Sequence, residues 1–170
     1  MLDAKGKPCP PGVEGGATVG GPQTCVAVVT PEGAWEEQRS KPMLTGDLAV
    51  MDDDGFVTVT GRTKDLIIRG GVNIAPLEID NVLLSDPRVL EAAAIGVPDD
   101  IYGEEIVCYV VAKPGEALSD DDVRQHCAET LAEFKVQKQV RFIDALPKSD
   151  RGKVRRETLK EMWAADDAPD

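Results

Sequence analysis

The chain has 170 residues, 42% of them hydrophobic and 29% charged, with a formal net charge of −12. This suits one soluble domain with a real core and room for a smaller appendage, and it excludes a disordered chain. The negative charge argues against a nucleic-acid partner. No apolar run reaches the length of a membrane span, and Met1-Leu2-Asp3-Ala4-Lys5-Gly6 lacks a signal-peptide core, so the cytoplasm is the expected compartment.

Residues 1–44 are rich in Gly and Pro, and Cys25-Val26-Ala27-Val28-Val29 is their one clear strand candidate. With so little apolar periodicity, the segment is expected to pack poorly alone, as the edge of something larger. Leu48–Met51 and Phe56–Thr60 then predict a β-hairpin, turned at Asp54-Gly55. The acidic run Asp52-Asp53-Asp54 does not make an EF-hand, since Val50 and Gly61 occupy positions that need ligands. Cysteines at 9, 25, 108 and 127 show no C-x-x-C spacing, so neither a zinc site nor a disulfide framework is expected, and no metal site is assigned.

A strand over Asp65–Arg69 ends at Gly70-Gly71, and Pro76 suits the first turn of a helix whose buried face is Ile79, Val82 and Leu83. Asp86-Pro87 stops that helix. Val89–Ile95 and Ile106–Ala112 read as strands buried on both faces. Ser119 and Asp122 form a capping box for a helix with Val123, Cys127, Leu131 and Phe134 as its buried stripe. His126, the single histidine, lies beside that stripe and reads as helix surface or packing. A strand over 139–143, a loop, a last helix (Val154, Thr158, Met162) and an acidic tail from Ala164 complete the pattern. The fold class is α+β: a small, mostly antiparallel central sheet covered by helices, with a short hairpin, preceded by a β-rich piece.

The loop Pro147-Lys148-Ser149-Asp150-Arg151-Gly152-Lys153 is built of turn formers and presents Lys153 just before a helix. A lysine there is a mobile point charge suited to a phosphate or a carboxylate. Nine of the nineteen basic residues lie between Lys135 and Lys160, opposed there by Asp144, Asp150 and Glu157. That concentration reads either as a solvated helix face or as a site for a polyanion such as a nucleotide or CoA.

With Thr45-Gly46-Asp47 and Gly61-Arg62-Thr63-Lys64-Asp65 through Asp80, this loop resembles the end of an adenylate-forming enzyme, specifically an acyl- or aryl-CoA synthetase. The resemblance runs from Thr45 to about Met162. It implies that Asp47 binds the ribose hydroxyls of ATP, that Arg62 helps hold the nucleotide, and that Lys64 is the hinge of a rotating C-terminal domain. It implies that Gly70 and Gly71 line a pantetheine tunnel, and that Tyr102, Phe134, Lys135 and Lys138 contact CoA. Lys153 becomes the lysine that promotes adenylation. ATP, Mg2+ and CoA are the implied cofactors and co-substrates, with a small carboxylic acid as substrate.

Two departures accompany the match. Gln137 replaces a proline common in relatives, and residues 15–44 lack the family's Gly-Tyr-Trp segment. No phosphate loop is present, so the chain is expected to be a fragment, with the metal ligands on a missing N-terminal core domain. The implied division is 1–63 as the end of that core, 64–163 as the C-terminal domain and 164–170 as a tail. An adenylation domain loading a carrier protein and a non-catalytic nucleotide-binding module are the alternatives.

Overall fold

The computed structural model describes residues 1–3, 5–37 and 42–166. The chain divides into two units, Met1–Lys64 and Asp65–Asp170.

The first unit holds β1 (Gly15–Val19), β2 (Ala27–Val29), β3 (Trp35–Glu37), β4 (Met43–Met51) and β5 (Val57–Arg62). β4 is the middle strand of an antiparallel sheet ordered β1-β4-β5. The β4–β5 turn is locally determined: Asp52 Oδ1 accepts the Asp54 and Phe56 amides, and Gly55 adopts φ 87°. The acidic run is thus a turn, and Asp52 is the residue that shapes it.

The described residues of 1–44 are mostly exposed, with β1 as an edge strand, but they hold more strands than the one expected. β1 pairs with β4, and Leu2 exchanges both backbone hydrogen bonds with Gly16. Gly15 is required there, because a Cβ would sit 2.5 Å from Cys9 Sγ and 2.7 Å from the Leu2 carbonyl. β1 escaped the sequence reading because Gly15-Gly16-Ala17 carries no apolar alternation; β4 supplies its pairing. The expected strand over 25–29 is only Ala27–Val29, in a two-stranded hairpin with β3 whose Trp35 is 78% exposed. Residues 38–41 of this stretch lie outside the described residues.

A 3-10 turn, Thr63–Asp65, leads to β6 (Ile67–Arg69), β7 (Val72–Ile74), α1 (Pro76–Ser85), β8 (Val89–Asp99) and β9 (Gly103–Ala112). There follow α2 (Asp120–Thr130), a 3-10 turn at Glu133–Lys135, β10 (Gln139–Phe142) and α3 (Arg156–Asp166). β8 and β9 form a long antiparallel ribbon. β9 also pairs with β6, antiparallel, and with β10, parallel.

The ribbon is buried on both faces, as its apolar runs predict. Ala92, Ala94, Ile106, Cys108 and Val110 join Ile79, Leu83, Val123 and Cys127 on the α1/α2 side. Ala93, Ile95, Val97, Val107, Tyr109 and Val111 join Leu159 and Trp163 on the α3 side. A register shift between Val89 and Glu91 turns Val89 to the α1/α2 side, against strict alternation.

The capping box at α2 is present, with Ser119 Oγ accepting the Asp122 amide and Asp122 accepting the Ser119 amide. His126 packs between helices, its Nε2 2.9 Å from both the Val82 carbonyl and Ser85 Oγ.

Two buried stripes are corrected. α2 ends at Thr130, so Phe134 is not on it; Phe134 lies on the 3-10 turn and is 42% exposed. α3 starts at Arg156 and buries Leu159 and Trp163, while Met162 faces outward and Val154 precedes the helix as the bridge partner of Lys148. α3 runs to Asp166, beyond the expected start of the tail at 164, and residues 167–170 lie outside the described residues.

Candidate functional site

In the first unit, strand pairing brings Asp47 and Arg62 together. They are register partners across β4 and β5, and Arg62 Nε donates to Asp47 Oδ1 at 2.9 Å. Thr45 shapes the approach: its hydroxyl donates to the Ala17 carbonyl and accepts the Asp47 amide, while Gly46 takes φ 79°. Both charged side chains remain partly exposed, and among the described residues Asp47 Oδ2 and the Arg62 Nη groups make no side-chain hydrogen bond. Lys64, exposed, lies in the 3-10 turn as the last residue of this unit.

In the second unit, six of the expected site residues gather at one end of the ribbon. Gly70 and Gly71 form the β6–β7 turn with φ 58° and 81°, a conformation that favours glycine. The Gly70 amide donates to the Tyr102 carbonyl at 2.8 Å. Tyr102 sits in the β8–β9 turn, which Asp99 organises by accepting the Ile101 and Tyr102 amides. The other Asp99 oxygen accepts Lys138 Nζ at 3.1 Å. These donors, the Tyr102 amide first, hold the Asp99 carboxyl down at about 2, and Asp99 in turn raises the Lys138 ammonium. Lys135 donates to both Glu78 oxygens at 2.7 Å, fastening the Phe134 turn to α1.

Sequence reasoning missed Arg69, Glu105, Asp99 and Glu78, which arrange these residues. Arg69 makes a two-point ion pair with buried Glu105, at 2.6 and 3.0 Å. The Glu104-Glu105 pair after Tyr102-Gly103 was the available signal. Neighbouring glutamates point to opposite faces of a strand: Glu104 accepts the Ile68 amide and Glu105 takes Arg69. Gln137, which stands in place of a proline, is fully buried, and neither amide atom has a partner among the described residues. Burial also pushes the Cys127 thiol up to about 11.

Lys153 is elsewhere in the same unit. Its loop is closed by a Lys148–Val154 bridge, by the Ser149 amide donating to the Lys153 carbonyl at 2.8 Å, and by Gly152 at φ 74°. Lys148 is fixed to Glu91, near the start of β8. Five of the nine clustered basic residues are in ion pairs: Lys135, Lys138, Arg141, Lys148 and Arg156. Arg151, Lys153, Arg155 and Lys160 make none among the described residues, and the first three lie on or beside this loop. The cluster is therefore mostly structural, with its free charge concentrated around Lys153.

An open groove of about 490 Å³ lies along α2 and the turn after it, lined in part by Arg124, Leu131, Glu133 and Val136, next to Phe134 and Lys135. Among the described residues no group of three or more His, Cys, Asp or Glu could hold a metal ion, and no helix is long and apolar enough to cross a membrane.

Residues 78–153 match the AMP-binding enzyme C-terminal domain. The chain belongs to the AMP-binding enzyme C-terminal domain family. It is 43% identical over 158 residues to a sulfoacetate–CoA ligase of Cupriavidus necator, covering 92% of this chain and 31% of that protein. It is 35% identical to a fatty acid–[acyl-carrier-protein] ligase of Streptomyces coeruleorubidus, over 99% of this chain and 33% of that protein. The fold superposes on the Bacillus subtilis o-succinylbenzoate CoA synthetase, solved with its acyl-adenylate intermediate, with a TM-score of 0.83 and 33% identity. That match covers 94% of this chain and 33% of the synthetase. The chain thus spans about a third of the length of the relatives it matches.

Proposed function

We infer that this adenylate-forming segment serves an ATP-dependent acid–CoA ligase, and that its second unit works in both half-reactions with two different ends. One observation carries the reading. The lysine loop is tied to Glu91 and the glycine turn to Tyr102, at opposite ends of the β8–β9 ribbon. The strand from Glu91 to Asp99 covers about 26 Å at roughly 3.3 Å per residue. A single approach cannot bring both ends to one reacting carbon.

In adenylation, a carboxylate attacks the α-phosphorus of ATP and pyrophosphate leaves. Two anions approach, and the Lys153 ammonium stabilises the charge between them. Asp47 takes the ribose hydroxyls and Arg62 steadies both Asp47 and the nucleotide. A rotation at Lys64 then withdraws Lys153 and presents the Gly70-Gly71 turn, through whose bare backbone the pantetheine arm reaches the acyl-adenylate. The CoA thiolate displaces AMP, with Tyr102, Phe134, Lys135 and Lys138 toward the nucleotide end of CoA. Magnesium accompanies ATP, with ligands on the remainder of the enzyme.

The test is to assay the half-reactions separately in the complete ligase: carboxylate-dependent pyrophosphate exchange, and thioester formation from supplied acyl-adenylate. CoA and a carrier protein are offered in parallel as acceptors. Preference for CoA is expected. Preference for the carrier protein would transfer the reading to a carrier-loading enzyme, and absence of exchange with every acid tried would leave a non-catalytic module.

A further inference from the structure

The tyrosine at the ribbon tip is held from two sides by consecutive residues. The Gly70 amide donates to its carbonyl at 2.8 Å, and the Arg69 guanidinium lies over its ring, 4.3 Å from the centroid. Arg69 is itself immobilised. Glu105, only 5% exposed, takes its Nε and one Nη, and the Phe134 carbonyl accepts from the other Nη at 3.4 Å. The pairing with Glu105 raises the Arg69 guanidinium further above its ordinary range, so it stays charged. One side chain therefore joins the glycine turn, the Tyr102 ring and the Phe134 turn.

We propose that Arg69 is a positioning residue that sets the Tyr102 ring as a stacking platform in register with the Gly70-Gly71 turn. This rests on the CoA reading of that surface. Arg69 covers one ring face, and Tyr102 as a whole remains 44% exposed, which leaves surface for a planar ligand group. A cation over one face of an aromatic ring holds its plane by attraction to the ring quadrupole. The guanidinium plane and its fork of donors suit this double duty; an ammonium would satisfy Glu105 without fixing the ring. The consequence is a fixed separation between a flat recognition surface and a narrow backbone passage, which suits a ligand with a planar base at one end and a thin arm at the other.

The experiment is a double-mutant cycle in the complete ligase, using Arg69→Lys and Tyr102→Leu, with CoA as the probe. Lysine keeps a charge opposite Glu105, so the buried carboxylate is not stranded. Arg69→Lys should raise the KM for CoA by roughly 2- to 30-fold, the range for a cation over a ring, with kcat moved far less. In the Tyr102→Leu background the same change should add nothing. If Tyr102→Leu raises KM but Arg69→Lys does not, or if the two effects multiply, Arg69 does not act through the ring and the proposal is overturned. A lowered unfolding midpoint with unchanged KM for Arg69→Lys overturns it equally, by leaving Arg69 a purely structural ion pair. If Tyr102→Leu leaves KM unchanged, the CoA reading of the surface fails first and the proposal with it.

Discussion

Arg156, the first residue of α3, pairs with Asp80 on α1 across the edge of β8. Asp80 Oδ1 also accepts the Ala94 amide at 2.7 Å, and Arg156 Nε donates to the Ala94 carbonyl at 3.2 Å. The two side chains clamp the middle of β8 and fix where the lysine loop ends. Burial is the larger influence on Asp80 and raises its carboxyl from 3.8 to about 6, although Arg156 opposes this.

That rise has a stated sign. Between about pH 4 and pH 6 the folded chain holds a proton on Asp80 that the unfolded chain has released. The Asp80 contribution to stability therefore falls as pH rises through this window and is flat above it. Urea midpoints of the wild type and Asp80→Asn, measured from pH 4 to 7, should show a wild-type advantage that shrinks toward pH 6. An advantage that grows with pH would mean that Arg156 outweighs burial.

Lys153→Ala in the complete ligase should slow adenylation by at least roughly 10²–10³-fold, the usual loss for one electrostatic donor. Thioester formation from supplied acyl-adenylate should barely change, because the lysine loop lies at the other end of the ribbon from the glycine turn. Equal loss in both half-reactions would remove Lys153 from the role proposed for it.

Lys64→Pro tests the hinge. Proline restricts φ within the Thr63–Asp65 turn. Pyrophosphate exchange should persist while thioester formation collapses. Survival of both activities would make Lys64 an ordinary turn residue.

The 170-residue chain alone should form no detectable acyl-adenylate. Positioning of reactants supplies roughly 7–11 kcal/mol in favourable cases, and one exposed lysine loop cannot provide it. Carboxylate-dependent pyrophosphate exchange by the purified chain would refute this. Amide hydrogen exchange on the same sample should be slowest in β8 and β9, buried on both faces, and fastest in the β2–β3 hairpin, where Trp35 is exposed.

Much was legible locally. The two apolar runs around Ala93 and Val107, the capping box at Ser119 and the turn at Asp52–Gly55 are written in side chains that act on their own neighbours. The Gly, Lys and Asp signatures were likewise short enough to read in line, and they led to the family. What failed were features set by distant partners. β1 has no pattern of its own and exists because β4 pairs with it. The stripe of α3 was misplaced by one residue because the Lys148–Val154 bridge delays the helix to Arg156.

The sequence by itself determined the locally written features, such as the Asp52–Gly55 turn and the Ser119 cap, the two-sided burial of the ribbon and the motifs that mark the family. Only the tertiary structure decided how those residues are supported. Arg69 finds Glu105 36 positions away, Lys135 finds Glu78 at 57, and Arg156 finds Asp80 at 76. An isolated arginine or glutamate carries no mark of its partner, because an ion pair between strands or helices depends on register and packing, which no local periodicity encodes. For the same reason, the separation of the lysine loop from the glycine turn along one ribbon became visible only once β8 and β9 were paired.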